Sequence, residues 1–222
     1  MKLQLAANLH ILACSGFGLF YGIGCIHRKQ KPPLYFLFSL FSLLCAFLSR
    51  VFYAVSITVY GKVPDIFNIG FLGYAGMFLF FLFANLGQID WIVDDRKNVK
   101  PVYRIIPAII PVLELSAAIL GLFFGTVNIS VRISYFVISV IVGFAGYYNI
   151  KHAIIPDVEY GIARAIRGYN VTAFLIGILS LAEIGFSVFE INDIINYIQI
   201  VLGVLFAIII PVLNREVKRW TQ

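Results

Sequence analysis

Apolar residues along this chain form seven long runs, and short segments rich in polar residues separate them. A helix needs about 20 residues to cross roughly 30 Å of bilayer hydrocarbon, and each run is long enough to do so. The pattern therefore predicts seven transmembrane helices. The predicted ranges are Leu5–Ile26, Leu34–Tyr60, Ile66–Gly87, Ile105–Gly125, Ile129–Tyr148, Val171–Phe189 and Ile194–Leu213.

The same runs argue against β-structure. A transmembrane barrel is built from segments of about ten residues that alternate between apolar and polar positions, whereas the stretch from Leu34 to Leu48 contains no charge. Of the 222 residues, 61% are hydrophobic and 13% are charged, against about a quarter charged in soluble domains. We therefore predict an all-α membrane protein in which residues 1–222 form a single seven-helix domain.

The basic residues predict the orientation of the bundle. Thirteen of the 17 Lys and Arg residues fall in connections on one side, three fall on the other side, and Arg50 lies inside a run. Basic residues accumulate on the cytoplasmic side of membrane proteins, so we expect the N-terminus outside and the C-terminus in the cytoplasm. The need to set this orientation explains the excess of basic residues that gives the net charge of +6. Without an extended basic arm this charge does not indicate nucleic acid as a partner.

A few ionisable side chains lie inside the predicted spans, and such residues usually face a cavity or a partner because charge is costly in hydrocarbon. Counted at 1.5 Å per residue from the cytoplasmic ends, Glu114 lies about 14 Å deep, Glu183 about 18 Å and Arg50 about 24 Å. Other polar groups gather in the outer half, whereas the inner halves of the second, fourth and sixth spans are almost wholly apolar. The pattern predicts a polar pocket open to the outside. Its expected ligand-binding residues are Arg50, Glu114, Glu183, Tyr53, Tyr135 and Asn196.

A purely structural interpretation of these charges stays open. In this interpretation Arg50 pairs with Glu114 or Glu183, and the pair neutralises buried charge and fixes the relative positions of the helices without binding a ligand. The ionisable residues in and near the spans add up to one net negative charge, which favours a cationic ligand or a protonated glutamate. They are Arg50, Glu114, Arg132, Glu183 and Glu190.

The sequence contains no assembled catalytic or metal-binding pattern. The motif HExxH, the Walker loop and the nucleophile elbow are absent, and the three histidines are predicted on opposite sides of the membrane. We therefore expect no catalytic residue, no metal and no cofactor, and no enzymatic activity. Cys14, Cys25 and Cys45 lie inside or at the end of predicted spans, where free cysteine packs as a small apolar side chain.

Smaller features predict local structure. Gly18 and Gly22 form a GxxxG spacing that is typical of close helix packing. Apolar residues recur at helical spacing in the segment 156–168, which predicts a short interfacial helix. Asp90 and Asp94 are four residues apart, so they would share one face of a helix end after the third span.

Three functions agree with this pattern. The predicted pocket favours a receptor-like protein that binds or senses a small molecule and acts through a membrane or cytoplasmic partner, which would dock on the connections 88–104 and 149–170. A small-solute transporter is the alternative, since three helices, a linker helix and three more helices can form two parallel repeats. A non-catalytic subunit of a membrane complex is the third. The expected surroundings are a lipid bilayer, and the compact connections favour a multi-pass protein of the cell membrane, the bacterial inner membrane in particular.

Overall fold

The computed structural model describes residues 2–28, 32–64, 66–86, 90, 100–156, 166–190 and 192–220. Within these ranges the regular elements are seven helices, and no strand occurs among them. All seven helices are long and apolar enough to cross a membrane. The predicted all-α, seven-helix fold is therefore confirmed, and the chain is an integral membrane protein. The side of the membrane on which each terminus lies stays a prediction.

The helices extend beyond most of the predicted spans. Their bounds are α1 Lys2–His27, α2 Leu34–Tyr60, α3 Ile69–Leu86, α4 Val102–Phe124, α5 Ile129–Ile154, α6 Arg167–Val188 and α7 Asn192–Trp220. An apolar run marks the part of a helix that lies in hydrocarbon, whereas backbone hydrogen bonding continues into polar residues at either end. The differences are largest where α5 and α7 end and where α6 begins.

Local chemistry explains several of these boundaries. Pro33 directly precedes α2 and Pro101 directly precedes α4, since proline lacks the backbone N–H that a first helical turn leaves unbonded. The side chain of Asn128 accepts a hydrogen bond of 2.9 Å from the backbone N–H of Ser130 and so caps the start of α5. Gly61 follows α2 with a φ of 74°, a left-handed conformation that glycine adopts without strain.

Six of the seven helices form a closed ring. Each packs against the next in the order α1, α2, α3, α5, α6 and α7, and α7 returns to α1. Large apolar side chains that are almost completely inaccessible occupy the spaces between these helices. They include Ile11, Leu43, Met77, Phe78, Phe81, Ile138, Ile176 and Phe206.

Helix α4 lies outside this ring. It packs along α5 and touches α6 only weakly, and its long row of exposed apolar side chains is suited to contact with lipid. Small residues on α5 let α4 pack closely against α5. A Cβ atom on Gly143 would lie 3.2 Å from Pro111, and one on Gly146 would lie 3.3 Å from Ile110. The position of α4 leaves a gap between α4 and α6.

We call the side on which α1, α3, α5 and α7 end the basic side, because most Lys and Arg residues of the chain lie there. The interfacial helix predicted at 156–168 lies largely outside the described residues, as does Asp94.

Gly18 and Gly22 of α1 were predicted to allow close packing between helices. Both glycines lie against α7, at Phe206 and Ile210, and also against α2, so this close packing is confirmed.

Candidate functional site

An ion pair between Arg50 of α2 and Glu183 of α6 crosses the interior of the ring. Two parallel hydrogen bonds join the guanidinium to the carboxylate, with Nη2 to Oε2 at 2.6 Å and Nη1 to Oε1 at 2.9 Å. This two-pronged geometry is the strongest arrangement for these groups. Arg50 is 2% exposed and Glu183 is 7% exposed, so the pair is closed off from solvent.

Three other helices contribute polar groups to this pair, and we call the whole set the central cluster. The Tyr74 hydroxyl of α3 donates to Glu183 Oε2 at 2.5 Å and accepts a hydrogen bond from Arg50. The amide of Gln199 in α7 donates to Glu183 Oε1 at 2.7 Å, and Arg50 donates to Asn8 Oδ1 of α1 at 3.3 Å. All ring helices except α5 are therefore tied to one charged pair.

Aromatic rings surround the guanidinium. The centre of the Tyr74 ring lies 5.2 Å from the Arg50 guanidinium carbon and that of the Tyr53 ring lies 5.9 Å away, distances at which a cation is attracted to the face of a ring. Tyr53 packs against Gly70 of α3, where a Cβ atom would come within 2.5 Å of the Tyr53 hydroxyl oxygen. The glycine thus makes room for the tyrosine beside the pair.

Arg50 and Glu183 meet because they occupy the same level of the bundle. Each is the seventeenth residue of its helix, about 24 Å from the start at 1.5 Å per residue. The sequence-based estimate placed Glu183 about 6 Å less deep, because the apolar run begins four residues after the true start of α6. With the helix starting at Arg167, Glu183 lies at the same depth in the bundle as Arg50.

Polar contacts also occur nearer the basic side, in a region that was expected to be almost wholly apolar. The Ser39 hydroxyl of α2 donates to the Tyr169 hydroxyl of α6 at 2.7 Å. At the ends of α3 and α5, Asn85 donates to Asn149 Oδ1 at 2.7 Å. Ser39 lies inside the second predicted span, whereas Tyr169 lies in the first turn of α6, before the sixth predicted span begins at Val171. Ser39 stands singly among apolar neighbours, and Tyr169 stands in a polar turn that the apolar run does not include.

A cavity of about 460 Å³ lies between α4, α5 and α6, and we call it the α4–α6 cavity. Its rim carries large side chains that are exposed on the outer surface of the bundle, such as Leu113, Ile178 and Phe189. Except for Glu114 and Tyr135, the side chains that line it are apolar, among them Ile110, Phe174 and Phe186. The cavity therefore opens toward the region of the bilayer hydrocarbon.

Glu114 supplies the ionisable group in this cavity. Its carboxylate oxygens are buried and receive no hydrogen bond from any described residue. One wall of the carboxylate's site is Gly143, where a Cβ atom would lie 3.2 Å from Glu114 Oε2. Tyr135 lines the same cavity next to Gly185 of α6. An unpaired carboxylate in an apolar cavity offers a place for a hydrogen-bond donor or a cation.

Five of the six predicted ligand-binding residues lie at two separate places in the structure, and the sixth lies at neither. Arg50 and Glu183 belong to the central cluster and Tyr53 lies beside it, whereas Glu114 and Tyr135 belong to the α4–α6 cavity. Asn196 lies near the start of α7 and joins neither group among the described residues. Its place in the central cluster is taken by Gln199, about one helical turn further along. Whether any of these residues binds a ligand stays a prediction.

Three residues of the central cluster were not among the predicted set, namely Asn8, Tyr74 and Gln199. Each is a polar residue within an apolar run, which is the only signal in the sequence. That signal is shared by serines and asparagines that bond their own helices, as Ser116 does to the carbonyl of Val112. Among the residues that the structure describes, no group of three or more His, Cys, Asp or Glu side chains is placed to hold a metal ion.

Comparison with known proteins finds no match among protein families, curated proteins or solved structures.

Proposed function

We propose that this protein binds a small molecule in the α4–α6 cavity and responds to it through the central cluster, as a receptor-like membrane protein. The cavity is the observation that supports this proposal. Its volume of about 460 Å³ lies within the roughly 300–1,000 Å³ that small-molecule sites occupy. Such sites are mostly apolar and contain a few polar groups that orient the ligand, and Glu114 and Tyr135 are groups of this kind.

Helix α6 connects the cavity with the central cluster. Ala182 and Gly185 line the cavity, while Glu183 between them bonds to Arg50. A ligand that displaces α6 would change the geometry of the ion pair, which depends closely on distance and angle. Packed interiors respond to such displacements by switching between discrete arrangements. The ion pair would therefore report occupancy of the cavity to the other ring helices.

The response would reach a partner on the basic side of the bundle. Helices α3 and α5 end there, and Asp90 accepts a hydrogen bond of 2.7 Å from Lys151 of α5. A shift of α6 against α5 would alter this surface. A membrane or cytoplasmic protein that docks on the connections 88–104 and 149–170 is the expected recipient.

Filling the cavity tests the proposal. Ala117 lines the cavity, and Ala117→Phe would occupy its interior. Ala13→Phe is the matched control, because Ala13 is also exposed but lies on α1 away from the cavity. Wild-type protein and both variants would be purified with their native lipids, extracted with organic solvent and analysed by mass spectrometry for molecules retained in stoichiometric amounts.

We expect a retained small molecule in the wild-type and Ala13→Phe proteins and its loss from Ala117→Phe. Equal retention by all three proteins would place any bound molecule elsewhere and overturn the proposal. If no protein retains a molecule, saturable photolabelling of the cavity with added compounds decides the same question.

A small-solute transporter is the second candidate, and the order of helices in the ring favours it. Helices α1, α2 and α3 follow one another around half of the ring, α5, α6 and α7 follow one another around the other half, and α4 lies outside as a linker. Arg50 and Glu183 occupy the same position in the corresponding helices α2 and α6. This is the arrangement that two parallel repeats require.

Uptake into proteoliposomes separates the two candidates. A compound identified as the ligand would be offered outside vesicles that contain the protein. Binding without accumulation in the lumen is expected for the receptor-like protein. Accumulation that is abolished in Glu183→Gln would instead favour the transporter, because Glu183 and Arg50 join the two halves of the ring across its interior.

A further inference from the structure

We propose that the ligand of the α4–α6 cavity is a lipophilic amine, a molecule with one apolar body and one protonated amino group that pairs with Glu114. This inference rests on the function proposed above and specifies the chemical class of the ligand. Three features of the described residues carry it: the charge that lacks a partner, the composition of the cavity walls and the direction in which the cavity opens.

The first feature is the distribution of charge within the membrane. Glu183 is fully paired, since it receives hydrogen bonds from Arg50, Tyr74 and Gln199. Glu114 receives none from any described residue, although both of its oxygens are buried. An isolated carboxylate in hydrocarbon is costly, and a bound ammonium group offsets that cost by Coulomb attraction and hydrogen bonding. Glu114 is therefore the carboxyl group in the spans with which a bound cation could pair.

The second feature is what surrounds Glu114. Of the described residues that line the cavity, none is Lys or Arg, so a carboxylate or phosphate group on the ligand would meet no positive partner among them. Apart from Tyr135, there is no polar side chain to bind the several hydroxyl groups of a sugar. Phe174 and Phe186 instead offer aromatic surface, which attracts both apolar groups and cations. The walls therefore favour an apolar body with a single cationic group.

The third feature is access. Because α4 packs on α5 outside the ring, the cavity lies between α4 and α6 at the outer surface of the bundle. Leu113 is 63% exposed at this rim, and such a surface in a membrane protein faces hydrocarbon. Glu114 is the thirteenth of 23 residues in α4, close to the middle of the helix. A ligand that enters here must first partition into the bilayer, as a lipophilic amine does.

Photolabelling with matched compounds tests the inference. The probes are decylamine, decanol and decanoic acid, each carrying a diazirine at the same carbon, and the protein is wild-type chain in nanodiscs of zwitterionic lipid. Labelled peptides are identified by mass spectrometry, and saturability is measured by competition with the unlabelled compound. We expect saturable labelling of the cavity segments of α4 and α6 by decylamine, with at least tenfold weaker apparent affinity for decanol and decanoic acid.

Variants separate charge from shape. Glu114→Gln keeps the size of the side chain and should weaken decylamine binding at least tenfold. Glu190→Gln, the same change at an exposed residue outside the cavity, should leave binding unchanged. Ala117→Phe retains the carboxylate and should abolish labelling by steric exclusion. It keeps the test decisive if Glu114→Gln fails to fold, which size-exclusion chromatography would reveal.

The possible failures are distinguishable. Saturable labelling of the cavity by decanol or decanoic acid that equals labelling by decylamine would overturn the lipophilic amine but leave a small-molecule site in place. Equal affinity of decylamine for wild-type and Glu114→Gln protein would do the same. Absence of saturable labelling by all three compounds, with Ala117→Phe indistinguishable from wild type, would overturn both this inference and the proposed function.

Discussion

Arg50 and Glu183 are both buried, and the attraction between their charges offsets the free-energy cost of burying each of them. Removing one partner of a buried ion pair leaves an uncompensated charge and costs about 3–5 kcal/mol, whereas replacing both often costs far less. At the residue scale, the central cluster is therefore a site where single substitutions are more harmful than a matched double substitution. This behaviour distinguishes a true pair from two charges that are only close together.

A double-mutant cycle measures this difference. We expect Arg50→Met and Glu183→Gln each to lower the free energy of unfolding by about 3–5 kcal/mol, and the double variant to lose less stability than either single variant. Unfolding by detergent titration in mixed micelles provides the measurement. Strictly additive losses would show that the two side chains do not interact in the membrane.

Asp90 forms a second ion pair, with Lys151, and it lies outside the membrane-spanning helices. Burial raises the pKa of Asp90, but hydrogen bonds from His152 and Lys151 outweigh this effect and hold the pKa below its ordinary value. A carboxyl group whose folded-state pKa is depressed adds stability above its unfolded pKa of about 3.9 and loses that contribution as pH falls through the folded pKa. We therefore expect an acid-dependent contribution from this contact.

The variant Asp90→Asn tests that expectation. At pH 7 it should be less stable than wild type by about 1 kcal/mol, because the partly exposed carboxylate is screened by solvent. The difference in thermal midpoint between the two proteins should shrink as pH is lowered below about 4. A difference that stays constant down to pH 3 would mean that the charge of Asp90 makes no contribution.

The candidate site was only partly predictable at this scale. Arg50, Glu114 and Glu183 stood out because an ionisable residue inside an apolar run is rare. Which glutamate pairs with Arg50 was not predictable, since hydropathy carries no information on the direction in which a side chain points. Asn8 contacts Arg50, yet an asparagine in a membrane helix is not unusual enough to be singled out.

At the scale of elements, small residues determine how closely the helices approach. A Cβ atom on Gly18 would lie 2.5 Å from the carbonyl oxygen of Phe206 in α7 and 2.9 Å from a methyl carbon of Leu43 in α2. Backbone cannot move aside as a flexible side chain can. The contact between α1 and α7, which closes the ring, therefore depends on glycine at this position.

Two alanine substitutions in α1 compare this contact with an open one. Gly18→Ala should destabilise the protein by about 1–3 kcal/mol through overpacking. Gly24→Ala should be neutral or slightly stabilising, because nothing lies within 4 Å of its added methyl group and alanine is the better helix former. Unfolding in mixed micelles again provides the comparison. Equal effects of the two substitutions would contradict the packing of α1 against α7.

The start of α6 shows how an element boundary affects a site. The apolar run begins at Val171, but the helix begins at Arg167 and includes the polar residues Tyr169 and Asn170. Tyr169 is completely buried and accepts a hydrogen bond from Ser39. Hydropathy starts the helix too late because it registers contact with lipid, whereas this turn is buried against other helices.

At the scale of the whole molecule, the distribution of charge predicts the orientation. With thirteen basic residues on one side and three on the other, the C-terminus is expected in the cytoplasm. A fluorescent protein fused after Trp220 should fluoresce, and alkaline phosphatase fused there should be inactive. Phosphatase inserted after Gly61 should be active, because the connection between α2 and α3 is expected outside. The reverse pattern would contradict the orientation.

The sequence by itself determined the number of helices, the absence of a barrel and the residues that carry charge inside the membrane. These properties follow from the free energy of transferring each segment into hydrocarbon, which depends mainly on local composition. Tertiary structure alone decided that six helices close into a ring, that α4 lies outside it, and that Glu183 pairs with Arg50 while Glu114 has no hydrogen-bond partner among the described residues. Those outcomes depend on side-chain shape across helices far apart in the sequence, so no local pattern contains them.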